Sequence, residues 1–296
     1  MKILISGSSG LVGTALISYL EVQGHEIFRL VRKKDEQSDH AIFFDPSNLA
    51  QFENMDAVVN LSGENIASGR WTEEKKKKIL ESRVSTTRTL CDILKLLKSP
   101  PKVLINASAI GFYGDRADEQ LTEDSTPGSN FLSAVCKNWE NATETLKTTG
   151  IRVVLLRFGA VLSANGGALA KMLIPFKLCL GGVIGSGNQY FSFIALDDLT
   201  RVILFAIEKD ELRGPVNAVT PNPVTNRVYT KVLGGVLNRP TFFAVPKIVA
   251  RLAFGQMADE LLLASQKVYP NRLINAGFHF DYPTIQETLE HCLERT

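Results

Sequence analysis

Cysteine is sparse. Four residues (Cys91, Cys136, Cys179 and Cys292) are scattered over 296 positions without any C-x-x-C spacing. That argues against a redox pair, a zinc ribbon or a disulfide framework, and reduced thiols in a cytosol are expected. The four histidines are equally dispersed, so no metal cluster is expected. No apolar run approaches the ~20 residues of a membrane span. An excess of one charge is also missing. The chain has 33 basic and 31 acidic residues, for a net charge of +2, and nucleic acid would need a clustered basic field. Neither nucleic acid nor membrane is therefore an expected partner. Repeats and low-complexity tracts are absent. Met1-Lys2 leads straight into a strand pattern, which leaves no room for a leader, and a cytoplasmic location is expected.

What is present is an ordinary globular composition, 45% hydrophobic and 22% charged. It is laid out as alternating strands and helices. Lys2–Ser6 reads as a strand. Leu11–Gln23 has apolar residues at helical spacing and stops at Gly24. Glu26–Val31, Asp56–Leu61, Lys102–Ala107 and Ile151–Phe158 read as further strands, with helices over Thr72–Lys98 and Leu132–Thr149. This alternation predicts an α/β fold with a doubly wound parallel sheet. The basic run Lys75–Lys78, after Glu73-Glu74, reads as a solvated helix face. Beyond Gly159 the pattern loosens into glycine- and proline-rich connections, and the last sixty or so residues read as short helices. A smaller, mainly C-terminal lobe against the carboxyl ends of the strands is expected, where such folds place ligands.

Gly7-Ser8-Ser9-Gly10-Leu11-Val12-Gly13 is G-x-x-G-x-x-G between a strand and a helix, the context that gives the motif meaning. Its glycines allow a sharp turn, close approach to a pyrophosphate and tight helix–strand packing. The helix N-terminus adds free N–H groups and the positive dipole end. At the end of the second strand, where an acid would bond an NAD ribose, the sequence reads "FRLVRKK". Arg32 there matches a 2′-phosphate, so NADP is the expected cofactor.

Several stretches resemble the extended, epimerase-like branch of the short-chain dehydrogenase/reductase superfamily. They include "GSSGLVG", "VVNLSGENI", "SRVSTTRTL", "NASAIGFYGD", "CKNWENA", "RFGAVLSANGGAL" and "QKVYPNRLINAGFHFDYP". The likeness is strongest to the subfamily that ends in a domain of unknown function (DUF1731). It implies a Rossmann-like domain over residues 1–220, with 161–195 contributing to the substrate lobe. It also implies a mainly helical region over 221–296, DUF1731-like from about 246. The resemblance further implies contacts to the cofactor by Leu61, Ser62, Gly63 and Glu64 after the "DAVVNL" strand, by Arg83, and by Phe158, Gly159 and Ala160 near the nicotinamide. The bland reading of Leu61, Phe158 and Ala160 is core packing.

Hydride-transferring members use a serine and a Y-x-x-x-K pair, in which the lysine lowers the tyrosine pKa for proton exchange. Here Ser108 fits the serine and Lys137 the lysine, but Ser133 stands where the tyrosine should be. An aliphatic hydroxyl is far less acidic than a phenol. Tyr113, in "GFYGD", is the nearest alternative phenol, with pocket lining as its bland reading. Cys136 and Glu140 share a helix face and could equally be packing. Asp197-Asp198 read as a helix cap, and Gly185–Phe193 as pocket lining. The resemblance thus implies an NADP-dependent oxidoreductase or epimerase-like enzyme for a small polar carbonyl or alcohol, sugar-derived among the candidates. The alternative is an NADP-binding sensor or regulatory module with little turnover, in keeping with the cell-division-inhibitor label of some relatives.

Overall fold

The computed structural model describes residues 1–294. The N-terminal part runs β1 (Lys2–Ser6), α1 (Leu11–Val22), β2 (Glu26–Val31), β3 (Ala41–Phe43), β4 (Ala57–Asn60), α2 (Glu73–Leu96), β5 (Val103–Ala109), β6 (Gln120–Leu121), α3 (Phe131–Asn141) and β7 (Arg152–Phe158). There follow β8 (Ala160–Ser163), α4 (Gly167–Lys177), β9 (Gly182–Ile184), β10 (Tyr190–Phe191), β11 (Phe193–Ala195), α5 (Leu196–Glu208) and β12 (Gly214–Ala218). The chain closes with β13 (Val224–Thr225), α6 (Asn226–Val236), β14 (Phe243–Val245), α7 (Lys247–Phe254), β15 (Lys267–Val268), α8 (Asn271–Asn275) and α9 (Ile285–Glu294).

Seven strands form one sheet in the order β12-β7-β5-β4-β1-β2-β3, and every pairing in it is parallel. The order reverses between β1 and β4. That opens a crevice beyond their carboxyl ends, the general ligand position of such sheets. The central strands are buried on both faces, which explains why they are mostly apolar. One core cluster unites Ile3, Ile5, Leu16 and Leu20 with Val202 and Ile203 of α5; a second unites Leu4 and Val58 with Leu90 and Leu94 of α2.

The strand limits expected from the sequence agree with the structure to within a residue or two, and β1 and β2 agree in full. The helix expected over Leu132–Thr149 is shorter. It ends at Asn141 and gives way to a single 3-10 turn at Glu144–Leu146. The return of the chain to the main sheet through α5 and β12 was not legible, because β12 contains Gly214 and Pro215. Pro215 is tolerated there because β12 is the sheet's edge strand.

The smaller lobe is assembled from α4, β9, α6, β14 and α7, with β14 pairing in parallel to β9. Polar contacts also fasten the C-terminal segments to the larger body. Asp198, in the first turn of α5, is fully buried and accepts the N–H groups of Asp281 and Tyr282, each at 3.0 Å. Contrary to the expected helix cap, it makes no capping bond to its own helix and pins the segment leading to α9. Asp197 instead pairs with His291 of α9. Glu260 accepts the N–H of Leu132 at 2.8 Å and that of Phe131 at 3.3 Å, capping α3 from the C-terminal region.

Candidate cofactor and active site

The loop between β1 and α1 shows which physical constraint each glycine answers. Gly7 has φ +70°, and a Cβ on it would lie 2.6 Å from the Leu61 carbonyl oxygen. A Cβ on Gly13 would lie 2.3 Å from the Gly7 oxygen, so α1 could not approach β1 with any other residue there. Gly10 differs. Its φ is an ordinary −79°, and a Cβ would meet only the Gly7 oxygen at 3.4 Å. The protein's own packing does not demand glycine at Gly10. Gly10 also occupies the N-cap of α1, where no side chain caps the helix and the first turn holds no acid. A diphosphate fits this position by shape and by charge.

The loop opens into a groove of about 1170 Å³. Ser8, Ser9 and Gly10 line one part of it, Leu61, Ser62, Gly63 and Glu64 another, and Arg32 and Lys33 the far end. Both basic side chains are exposed there. Three sequence segments, each singled out separately, thus converge on one cleft at the crossover point. Leu11, Val12 and Gly13 form the start of α1 behind it.

Arg83 of α2 lies against the same wall. A Cβ on Gly63 would come within 2.9 Å of its guanidinium carbon, which also sits 5.1 Å from the Trp139 ring centroid. Burial lowers the pKa of Arg83 from its ordinary value, partly offset by Glu64. Lys75 donates to Glu64 and to Ser68, and this pairing holds the Glu64 carboxyl below the usual range. Lys75 is thereby drawn out of the solvated basic run; Lys76, Lys77 and Lys78 pair with Glu73, Glu81 and Glu74 as an exposed helix face would.

Under the groove lies a polar network that the sequence reading missed. Asn60 and Asn106 face each other across the β4–β5 register. Asn60 Oδ1 accepts from Ser6 at 2.6 Å, while its amide donates to Thr87 and to Asn106. Trp139 also donates to Thr87 Oγ1, at 2.9 Å. Such a filled network fixes the loops above it, because leaving any buried member unpaired is costly. Its signal was available: both "VVNL" and "LINA" place an asparagine near the end of an apolar strand.

The expected catalytic residues occupy other surroundings. Ser108 is 2% exposed, and its hydroxyl donates to Glu140 Oε1 at 2.7 Å. Tyr113 is 0% exposed; its hydroxyl donates to Asn217 Oδ1 at 2.7 Å and accepts from Arg157 Nη1 at 2.9 Å. Burial pushes the phenol up to about 12, against the opposing pull of Arg157. Tyr113 does not line the groove; its ring packs in a hydrophobic cluster with Phe112 and Leu121, and its hydroxyl is held by Asn217 and Arg157. Ser133 is buried, donating to the Gly111 carbonyl and to Asn130. Lys137 is exposed on α3 and does not line the groove. Burial likewise pushes the Cys136 thiol up to about 12, so it is no ready nucleophile.

Phe158 and Ala160 do not line the groove and are partly buried against the core clusters. Gly159 sits where a Cβ would strike Val219 and the Ser192 carbonyl. In the stretch expected to line a pocket, Gln189 is buried, and its amide bonds the carbonyls of Ile184 and Leu262. The loop before α2 bridges to the smaller lobe: Lys171 donates to the Ala67 carbonyl at 2.7 Å, and Arg70 to that of Leu252.

Comparisons with known proteins agree with this architecture. Residues 3–218 match the model of the NAD-dependent epimerase/dehydratase family, and residues 245–292 match a domain of unknown function, DUF1731. An epimerase family protein of Mycobacterium bovis is 41% identical, over 99% of this chain and 98% of its own. The crystal structure of the human epimerase family protein SDR39U1, isoform 2, with NADPH superposes with a TM-score of 0.93 at 34% identity, covering 100% of both chains. A nucleoside-diphosphate sugar epimerase structure from Corynebacterium glutamicum gives 0.80 at 38% identity, over 98% of this chain and 58% of that one. With its glycine cradle, its crossover groove and matches along almost its whole length, the chain belongs to the NAD-dependent epimerase/dehydratase family.

Proposed function

We propose that the chain binds NADPH in the groove at the β1–β4 crossover and acts as an NADP-dependent oxidoreductase or epimerase-like enzyme on a small polar carbonyl or alcohol. The observation that carries this reading is Gly10, whose missing Cβ serves nothing in the chain itself, in one groove with Arg32. The N–H groups at the start of α1 would hold the diphosphate, with Ser8 and Ser9 beside them. Arg32 would take the 2′-phosphate, and Leu61 to Glu64 with Arg83 would border the ribose and adenosine. Phe158, Gly159 and Ala160 would flank the nicotinamide end, whereas Lys137, outside the groove, is given no part in holding the ribose. When bound, NADPH supplies a hydride to the site.

Because Ser108 and Tyr113 are committed to buried partners, the chain's own residues position and exclude, and proton exchange falls to water in the cleft. The human relative crystallised with NADPH supports the choice of cofactor. A sugar-derived substrate is the class suggested by the family and by the sugar epimerase among the relatives. The test is calorimetric titration with NADPH and NADH, followed by NADPH oxidation against a panel of polar carbonyls. Failure to bind NADPH would overturn the reading.

The burial of Ser108 and Tyr113, together with Ser133 at the usual tyrosine position, favours one second reading: an NADP-binding sensor with little turnover. Tight NADPH binding with no oxidation across the panel would select it.

A further inference from the structure

The acids of this chain are unevenly distributed. Residues 161–196 and 212–258, which include every element of the smaller lobe together with the edge strand β12, contain no Asp or Glu, although the whole chain holds 31. Lys and Arg recur through both stretches, and Lys171, Lys177, Arg239, Lys247 and Arg251 are exposed. Arg251 pairs with Asp259, which lies just beyond the second stretch. In a nearly neutral protein, the charges of these two stretches are thus all positive.

The same lobe carries many of the exposed apolar side chains, although Val22 of α1, at 83%, lies elsewhere. Phe242 is 90% exposed, Leu252 71%, Ile248 69% and Leu178 65%. They form one face. Parallel pairing sets Phe243 opposite Gly182, which brings Phe242 and the segment after α4, with Leu180, to the same end of the β9–β14 ribbon. α7 follows directly after Pro246 and buries only Ala250. At 100° per residue, Ile248 and Leu252 point directly away from Ala250, with Lys247 and Arg251 together on one flank.

Side chains this exposed stand out from the surface and are not the walls of a cleft. A second copy is a poor occupant, because a two-fold contact sets the patch against itself and cation against cation. A flat anionic surface with an apolar interior accepts both components at once. The acyl boundary takes the protruding Phe, Leu and Ile side chains, and the headgroups take the ring of Lys and Arg. We propose that this face docks the smaller lobe onto an anionic lipid bilayer, lying on it without spanning it. The expectation of no membrane partner rested on the lack of a span-length apolar run, which does not bear on peripheral docking.

The full chain is sedimented with vesicles of phosphatidylglycerol and phosphatidylcholine, and with phosphatidylcholine alone. Partition onto the anionic vesicles should be at least about tenfold stronger and should weaken as salt is raised. Phe242→Glu and Leu252→Glu, both outside the cofactor groove, should each weaken it by roughly tenfold at an unchanged melting temperature. Should either fail to fold, Lys177→Glu with Lys247→Glu must lower the partition instead. Four results would overturn the proposal: no binding to anionic vesicles, equal binding to neutral ones, variants that bind like the wild type, or a solution dimer that Leu252→Glu dissociates. Binding of polyglutamate that depends on Phe242, without vesicle binding, would also overturn it and assign the face to an acidic protein.

Discussion

Glu140 and Arg157 meet fork to fork in the protein interior. Arg157 Nε donates to Oε1 and Nη2 to Oε2, both at 2.8 Å, with side-chain exposures of 9% and 4% for acid and base. Ser108 adds a third bond to Oε1, and the guanidinium carbon lies 3.5 Å from the Phe112 ring centroid. A bidentate pair with its remaining sites filled is the form in which a buried ion pair is tolerated. Removing one partner strands a charge. Glu140→Gln or Arg157→Met should each cost about 3–5 kcal/mol, and the double variant should cost less than their sum. Urea denaturation followed by tryptophan fluorescence reads this directly, and strict additivity would contradict it.

Tyr113→Phe deletes only a hydroxyl that joins Asn217 to Arg157. Leaving those groups short of a partner should cost about 1–3 kcal/mol of stability, while NADPH affinity stays within a few-fold. A stable variant that loses NADPH binding would mean the hydroxyl acts at the groove after all.

The glycines should separate by role. Gly7→Ala must fit a side chain at φ +70° against the Leu61 carbonyl, so its melting temperature should fall sharply. Gly10→Ala should melt like the wild type yet bind NADPH at least about tenfold more weakly, because its methyl group enters the space of the diphosphate. Thermal melts and calorimetry on the two variants check both halves.

Arg32 should set the cofactor preference. Losing one charge-assisted phosphate contact costs about 1.5–3 kcal/mol, so NADPH should bind at least about tenfold more tightly than NADH. Arg32→Asp should reverse the order. Equal wild-type affinities for the two dinucleotides would count against the assignment.

Glu123 gives a pH signature. Burial raises its carboxyl above the usual range, opposed by the N–H groups of Asn217 and Arg272. The native state then holds this proton more tightly than the unfolded chain does. Its contribution is therefore present below the ordinary glutamate pKa and is lost as pH rises through the raised value. The melting temperature of wild type relative to Glu123→Gln should decline over that window. A difference that grows with pH would show the sign to be wrong.

The sheet was legible because a strand buried on both faces must be written mostly in apolar residues, as "KILIS" and "AVVN" are. The cofactor loop was legible because backbone geometry admits only glycine at Gly7 and Gly13. The charged interior was not. Arg157 lies in "IRVVLLRF" as an apparent strand-end base, and Glu140 lies 17 positions away in the chain; nothing local to either records that they meet. The setting of Tyr113 was hidden for the same reason, since its partner Asn217 is 104 positions downstream. Spacing along the chain reports a residue's neighbours on its own element, whereas burial is decided by elements that pack from far away.

The cap that Glu260 places on α3 bears on the order in which the protein matures. Asn130 serves the N–H of Ser133, but the N–H groups of Phe131 and Leu132 wait for a carboxylate 128 residues beyond Leu132. On the ribosome, the helix that carries Glu140 emerges long before its final acceptor is made. The nucleotide-binding half therefore reaches its finished form only after nearly the whole chain has left the exit tunnel, and a nascent chain stalled before Glu260 should leave α3 frayed at its first turn.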